Sequence, residues 1–135
     1  DKGKYLSDRL YQAALDPDVS KPICLVGGGE TTVHVVGQGT GGRNLETALA
    51  AVEGISGLER VALITFATDG EDAQTSYAGA VVTEKTKQIA SEQGLSVNVF
   101  LEDNDSCNFF QSTGGLIQTG STGTNVNDLV IMLAW

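Results

Sequence analysis

Arg43 is the residue whose setting first suggests chemistry. It ends the glycine-rich run "GQGTGG" and opens "RNLE", together residues 37–46. No other lysine or arginine occurs between Lys21 and Arg60, and none from Gln88 to Trp135. A guanidinium offers a planar fork of donors that suits a carboxylate or a phosphate. Leu45, Ala48, Leu49, Val52 and Ile55 recur at helical spacing, which predicts a helix from Asn44 to about Ile55. Asn44 is its expected N-cap. Such a helix turns free N–H groups and a positive dipole end toward the loop. One reading is an anion site made by Gly41, Gly42, Arg43 and Asn44; the other is a glycine turn with a solvated arginine. Gly37, Gly39 and Gly42 also match the G-x-G-x-x-G spacing of a dinucleotide site. That fingerprint needs an acid at the end of the next strand, about 20 residues on. Glu59 precedes that strand and Asp69 lies too far along, so the match is weak.

Three further stretches carry polar groups in numbers. Thr68-Asp69-Gly70, with Glu71 and Asp72 behind it, follows an apolar run. Asp69 there can hold Mg²⁺ or accept a proton from a hydroxyl, and the same residues also make an ordinary Asp-Gly turn. Glu102 to Ser106, "EDNDS", has no basic residue nearby in sequence. Helix capping by Asp105 accounts for part of it, and EF-hand spacing is absent, which disfavours a metal. Gly120 to Asp128, "GSTGTNVND", crowds Ser121, Thr122, Thr124, Asn125 and Asn127 into one loop. It lacks a Walker lysine. It reads as a backbone nest for phosphate or carboxylate, or as a polar turn that bonds its own backbone. His34 has no ligand partner in spacing and reads as a half-exposed strand residue.

The elements that must position these residues follow from periodicity. Ser7 to Leu15 predicts a short helix capped by Ser7, and Asp18 to Pro22 a linker. Ile23–Val26 and Thr32–Val36 are β-type runs around Gly27 to Glu30, which predicts a hairpin. Arg60 to Ala67 is nearly all apolar, as in a strand covered on both faces. Ala78–Val82 predicts a strand, and Glu84–Gln93 a helix capped by Thr83 and closed by Gly94. Val97 to Leu101 fits either a strand or a helix capped by Ser96. A last helix runs through Phe109 and Phe110. Leu116–Thr119 and Leu129–Trp135 predict strands on either side of the last polar loop. The expected fold is a layered α/β/α domain with a mixed β-sheet.

Composition bounds the partners. The chain has 135 residues, 41% hydrophobic and 19% charged, which suits one folded domain. Eight basic against seventeen acidic residues leave a net charge of −9, which argues against nucleic acid or an anionic membrane. No apolar run reaches the roughly 20 residues of a membrane helix. Cys24 and Cys107 match no metal spacing and predict buried free thiols in a reducing, cytoplasmic setting. The sequence opens on a polar stretch without Met, as a processed product or a piece of a larger protein would.

Three loops in order, "GGGETTVHVVGQGTGGRNLE", "ATDGEDAQT" and "DNDSCNFFQSTGGLIQTGSTGTNVNDL", resemble the MOFRL domain, the C-terminal domain of type II glycerate kinases. Family members are also labelled hydroxypyruvate reductases. The likeness covers nearly all of residues 22–133 and leaves 1–21 as a helix and linker. It implies an α/β domain forming one wall of an interdomain cleft. The complete enzymes use ATP and Mg²⁺ to phosphorylate D-glycerate, usually at the 2-position. Arg43 falls in the family's G-G-R-N motif, which faces the cleft. The resemblance also implies roles for Asp69 and for Thr122, Gly123, Thr124, Asn125, Asn127 and Asp128 around substrate or phosphate, with no resident metal assigned. Leu45 stands where the family usually has Gln, and Ser121 where it has Pro; neither change removes a proposed polar group. The N-terminal domain, with a catalytic lysine and much of the substrate site, is missing, so this half is expected to be inactive alone. A nicotinamide-dependent oxidoreductase domain and a free-standing binding module are the competing readings.

Overall fold

The structure is a computed structural model describing residues 2–135. Helix α1 (Lys2–Leu15) precedes strand β1 (Ile23–Gly29), and helix α2 (Arg43–Ile55) follows the glycine loop. Strands β2 (Val61–Ala67) and β3 (Gly79–Thr83) come next. Three short helices follow: α3 (Thr86–Glu92), α4 (Val97–Glu102) and α5 (Ser106–Thr113). Strands β4 (Leu116–Ile117) and β5 (Asp128–Ala134) complete the domain.

The α/β class is as expected, and the sheet differs in detail. Its order is β1-β5-β2-β3-β4, and every pairing is antiparallel rather than mixed. The expected hairpin of Ile23–Val26 with Thr32–Val36 does not form. β1 instead runs on through its three glycines and pairs with β5, so that Gly29 faces Asp128. Residues 30–36 are left outside any strand. The alternating apolar pattern was common to both outcomes; the competing partner was a strand a hundred residues away.

Alternation along the central strands divides the sheet into two faces. Val61, Leu63, Val130 and Met132 are buried beneath α1 and α2, in one core with Leu45, Leu49, Val52, Ile55, Phe109 and Phe110. Ile64, Phe66, Leu129, Ile131 and Leu133 face the other way and are half-buried. The helices therefore gather against one face: α1 and α2 touch the sheet, and α3, α4 and α5 pack on α2 or one another. β2 is thus less completely covered than its unbroken apolar run predicts.

Local departures have local causes. α1 starts at Lys2, so Ser7 lies inside it and bonds back to the Lys4 carbonyl at 2.8 Å. α4 is a helix because Val97, Phe100 and Leu101, at i, i+3 and i+4, all reach the core. α3 begins at Thr86, with Lys85 rather than Thr83 in the cap position. The strand expected over Leu116–Thr119 is two residues long. Cys107 is buried but Cys24 is exposed on β1, and His34 is exposed outside any strand.

Candidate functional site

The glycine loop is gripped by the acidic stretch that follows α4. Asn104 is 7% exposed, and its Oδ1 accepts from the backbone N–H groups of Val36 at 2.8 Å and Gly37 at 2.9 Å. Its Nδ2 donates to Glu46 Oε2 at 2.7 Å. Asp103 Oδ1 accepts from Gln38 N at 2.9 Å, and Asp105 Oδ1 from Thr40 N at 2.8 Å. Backbone bonds from Gly39 to Asp103 and from Cys107 to Thr40 complete the seam. The stretch thus explains itself as an acceptor array for the loop's amides. Asp105 occupies the cap position of α5 but makes no side-chain cap bond there.

This seam also explains the glycines. A Cβ at Gly37 would run into the backbone of Asp103, at Gly39 into Asp105, and at Gly41 into the Ser106 hydroxyl. They let the loop pass close to residues 103–106, and Gly39 and Gly41 also line the cavity beside Arg43.

The start of α2 is occupied too. Gly42, not Asn44, is its N-cap, in an extended conformation without a side-chain cap. Asp72 supplies the acceptor from a distant loop: Oδ1 takes the Asn44 N–H at 3.1 Å, and Oδ2 the Leu45 N–H at 2.8 Å. Asp72 is 1% exposed. Burial pushes its pKa up, while the Leu45 and Asn44 amides and the Asn44 side chain pull it back. Thr65 on β2 donates to the Asn44 carbonyl at 2.8 Å and fixes the same turn to the sheet. Two of the first-turn amides expected to be free for an anion, those of Asn44 and Leu45, are therefore bonded to Asp72.

Arg43 is left as the half-buried charged group at this turn. Its Nε and NH2 donate to the two oxygens of Asp128, at 2.7 and 3.1 Å. Asp128 begins β5, and its side chain is 2% exposed. The third edge, NH1, donates to Glu30 at 2.9 Å. Glu30 keeps 55% of its side chain exposed and Arg43 keeps 32%. The hydrogen bonding of Arg43 to the Asp128 carboxylate raises the arginine's pKa most, against a lowering by burial, with smaller rises from the charges of Asp128, Glu30 and Asp72. The arginine opens on a cavity of about 340 Å³, lined also by Thr31, Thr32, Val33, Val35 and Glu46. Arg43 is the only cation among the lining residues.

The remaining expected residues form a neighbouring group. Thr68 Oγ1 donates to the Asn127 carbonyl at 2.7 Å and accepts from Val126 N at 2.8 Å. Thr122 Oγ1 donates to the Thr68 carbonyl, and Asn125 Nδ2 to Asp69 Oδ2 at 3.0 Å. Asn127 is in the left-handed region, φ 68°, as is Gly123 at 73°. Thr124 contributes its carbonyl to Thr122. The two polar loops thus bind each other, and β5 carries their join directly to Asp128 and Arg43. No group of three or more His, Cys, Asp or Glu suited to a metal occurs among the described residues.

The geometry defines an α/β domain that presents one anchored arginine in the wall of a cavity. The MOFRL family model matches residues 23–128, and the chain belongs to that family. It is 42% identical over 132 residues to a D-glycerate 2-kinase of Thermotoga maritima, covering 97% of this chain and 32% of the relative. It is 43% identical over 114 residues to a glycerate kinase of Homo sapiens, covering 79% of this chain and 22% of the relative. A crystal structure of a glycerate kinase from Thermotoga maritima superposes with a TM-score of 0.95 at 41% identity, covering 99% of this chain and 33% of that one. The chain thus spans about a third, or less, of the relatives it matches.

Proposed function

We propose that this chain is the C-terminal domain of an ATP-dependent glycerate kinase and forms one wall of an interdomain active site. The observation that carries the reading is Arg43, braced by a buried carboxylate and lining a cavity, with its outer NH1 edge held only by the exposed Glu30. Phosphoryl transfer asks a protein chiefly for positioning and for neutralising charge on the transferring oxygens. The substrate D-glycerate brings a carboxylate, and the co-substrate ATP its phosphates. The NH1 edge of Arg43 suits either anion, while Asp128 holds the guanidinium plane still. Preorganisation of this kind lowers the cost of orienting a donor during reaction. Asp69, with Thr122 to Asn127 around it, forms the adjoining rim, where polar groups of a ligand and its Mg²⁺ would lie. The relatives' names and the short share of their length spanned here support a partner domain opposite, without which the site is incomplete.

The test uses a longer protein that includes the upstream domain. Arg43→Lys retains a charge against Asp128 but loses the planar fork. It should fold and should lower kcat/KM for glycerate at least about tenfold, or about 1.4 kcal/mol. A change under about threefold refutes the role of Arg43. Oxidation of NAD(P)H with hydroxypyruvate, in place of ATP-dependent phosphorylation, refutes the kinase reading.

A further inference from the structure

Arg43 has two acidic partners, and they are held in very different ways. Asp128 is nearly inaccessible, is gripped by two bonds, and sits where β5 pairs with both β1 and β2. Glu30 is mostly exposed and makes one bond. It is the first residue past β1, directly after Gly29, whose φ of 143° lies outside the usual range of residues with a side chain. From Glu30 to Val35 the strap makes no backbone–backbone hydrogen bond among the described residues; Asn104 ties down its far end, donating to the His34 carbonyl at 3.4 Å and accepting from the amides of Val36 and Gly37. Thr31, Thr32, Val33 and Val35 of this strap line the cavity.

Charge gives the asymmetry a purpose. Glu30, Glu46 and Asp72 line the cavity, and Asp128 lies behind its one cation. A further anion entering beside all of them meets repulsion; an anion that replaces Glu30 on NH1 leaves the local charge unchanged. We propose that Glu30 is a displaceable internal ligand of Arg43, standing where the anionic group of the substrate binds and swinging out with the strap when it arrives. The proposal rests on Arg43 being an anion receptor, and it adds that the receptor is occupied by the protein's own carboxylate when no substrate is bound. Glu30 thereby sets a threshold: an anion must outcompete it, so weak or misfitting anions leave the site shut.

The experiment titrates this chain with inorganic phosphate and, separately, with D-glycerate, following the Arg43 Nε–H signal by ¹⁵N NMR. Three forms are compared: wild type, Glu30→Gln, and Glu92→Gln. The last removes the same unit charge from α3, where Glu92 accepts a bond from Gln88. Exposed ion pairs are weak, so removing Glu30 should tighten phosphate binding by about three- to fivefold. Glu92→Gln should change it little. Equal affinity in wild type and Glu30→Gln, an equal gain in Glu92→Gln, or no phosphate binding in Glu30→Gln each overturns the proposal. The two readings separate cleanly. Phosphate binding that tightens as expected, with no glycerate binding and no kinase activity in the longer protein, removes glycerate and keeps the internal ligand. Arg43-dependent kinase activity with no effect of Glu30→Gln does the reverse.

Discussion

Replacing Asn104 tests whether the acidic stretch is a clamp on the glycine loop. Asn104→Ala removes two acceptor contacts to the amides of Val36 and Gly37 and two donor contacts, to Glu46 and, longer and weaker at 3.4 Å, to the His34 carbonyl. Neutral hydrogen bonds contribute about 1 kcal/mol each, and the two amides lose their partner in a partly buried seam. The bond to Glu46 involves a charged group that is only partly buried, so it is counted at about 1 kcal/mol rather than the upper range for charged pairs. Asn104 also has φ 53°, a region that Asn tolerates better than Ala, which adds about 1 kcal/mol. The total is about 3 to 4 kcal/mol, a large share of the 5 to 15 kcal/mol typical of a domain. Asn104→Asp separates the parts, because it keeps the acceptor for both amides and sets a carboxylate against Glu46. It should cost roughly 1 to 2 kcal/mol. Urea unfolding gives the free energies, and hydrogen exchange at Val36 and Gly37 reports the clamp itself. If Asn104→Ala stays within about 1 kcal/mol of wild type and those amides keep their protection, the clamp is not what holds the loop.

Gly37→Ala should destabilise by about 1 to 3 kcal/mol because its Cβ meets the Asp103 backbone. Gly27→Ala, where nothing lies within 4 Å, should leave the melting temperature nearly unchanged; equal losses at both sites would remove the packing explanation. Asp72 gives a pH dependence. Its pKa is raised in the folded protein, so between the unfolded value near 4 and the folded value the folded state binds more protons. Its contribution is full below that window and is lost as pH rises through the folded pKa. Wild type should therefore gain stability relative to Asp72→Asn as pH falls from 7 toward about 4, in denaturant titrations at each pH. A difference that stays flat, or moves the other way, contradicts the assigned direction.

Helical periodicity made α2 legible almost to the residue, because Leu45 to Ile55 bury one continuous stripe. The terminal strand β5 and the apolar β2 were legible for similar reasons. The arginine stood out by charge alone. What escaped was pairing. Ile23 to Val26 pairs as readily with β5 as with a hairpin partner, and nothing local distinguishes the two. Asp72 reaches the amides of Asn44 and Leu45 from 28 and 27 residues away, and Asn104 reaches Glu46 from 58, so no short window of sequence contains both ends of these contacts. One signal was available: a lone arginine in an acidic chain calls for acids from elsewhere. The glycines were ambiguous, since close approach to a ligand and close approach to another part of the chain need the same missing Cβ.

The long reach of these contacts has a consequence for how the chain acquires its site. Arg43 and Asp128 are 85 residues apart, and Val36 and Asn104 are 68 apart. Contacts at such separations must overcome loop-closure entropy before they contribute anything, which places them late in folding. A chain emerging from the ribosome can form α1 and α2 early, but the arginine has no anchor until residue 128 has been made. The loop that carries it gains partners for its amides earlier, once residues 103–105 exist. The fixed orientation of the guanidinium thus arrives only with the last strand, rather than growing with the length of chain synthesised.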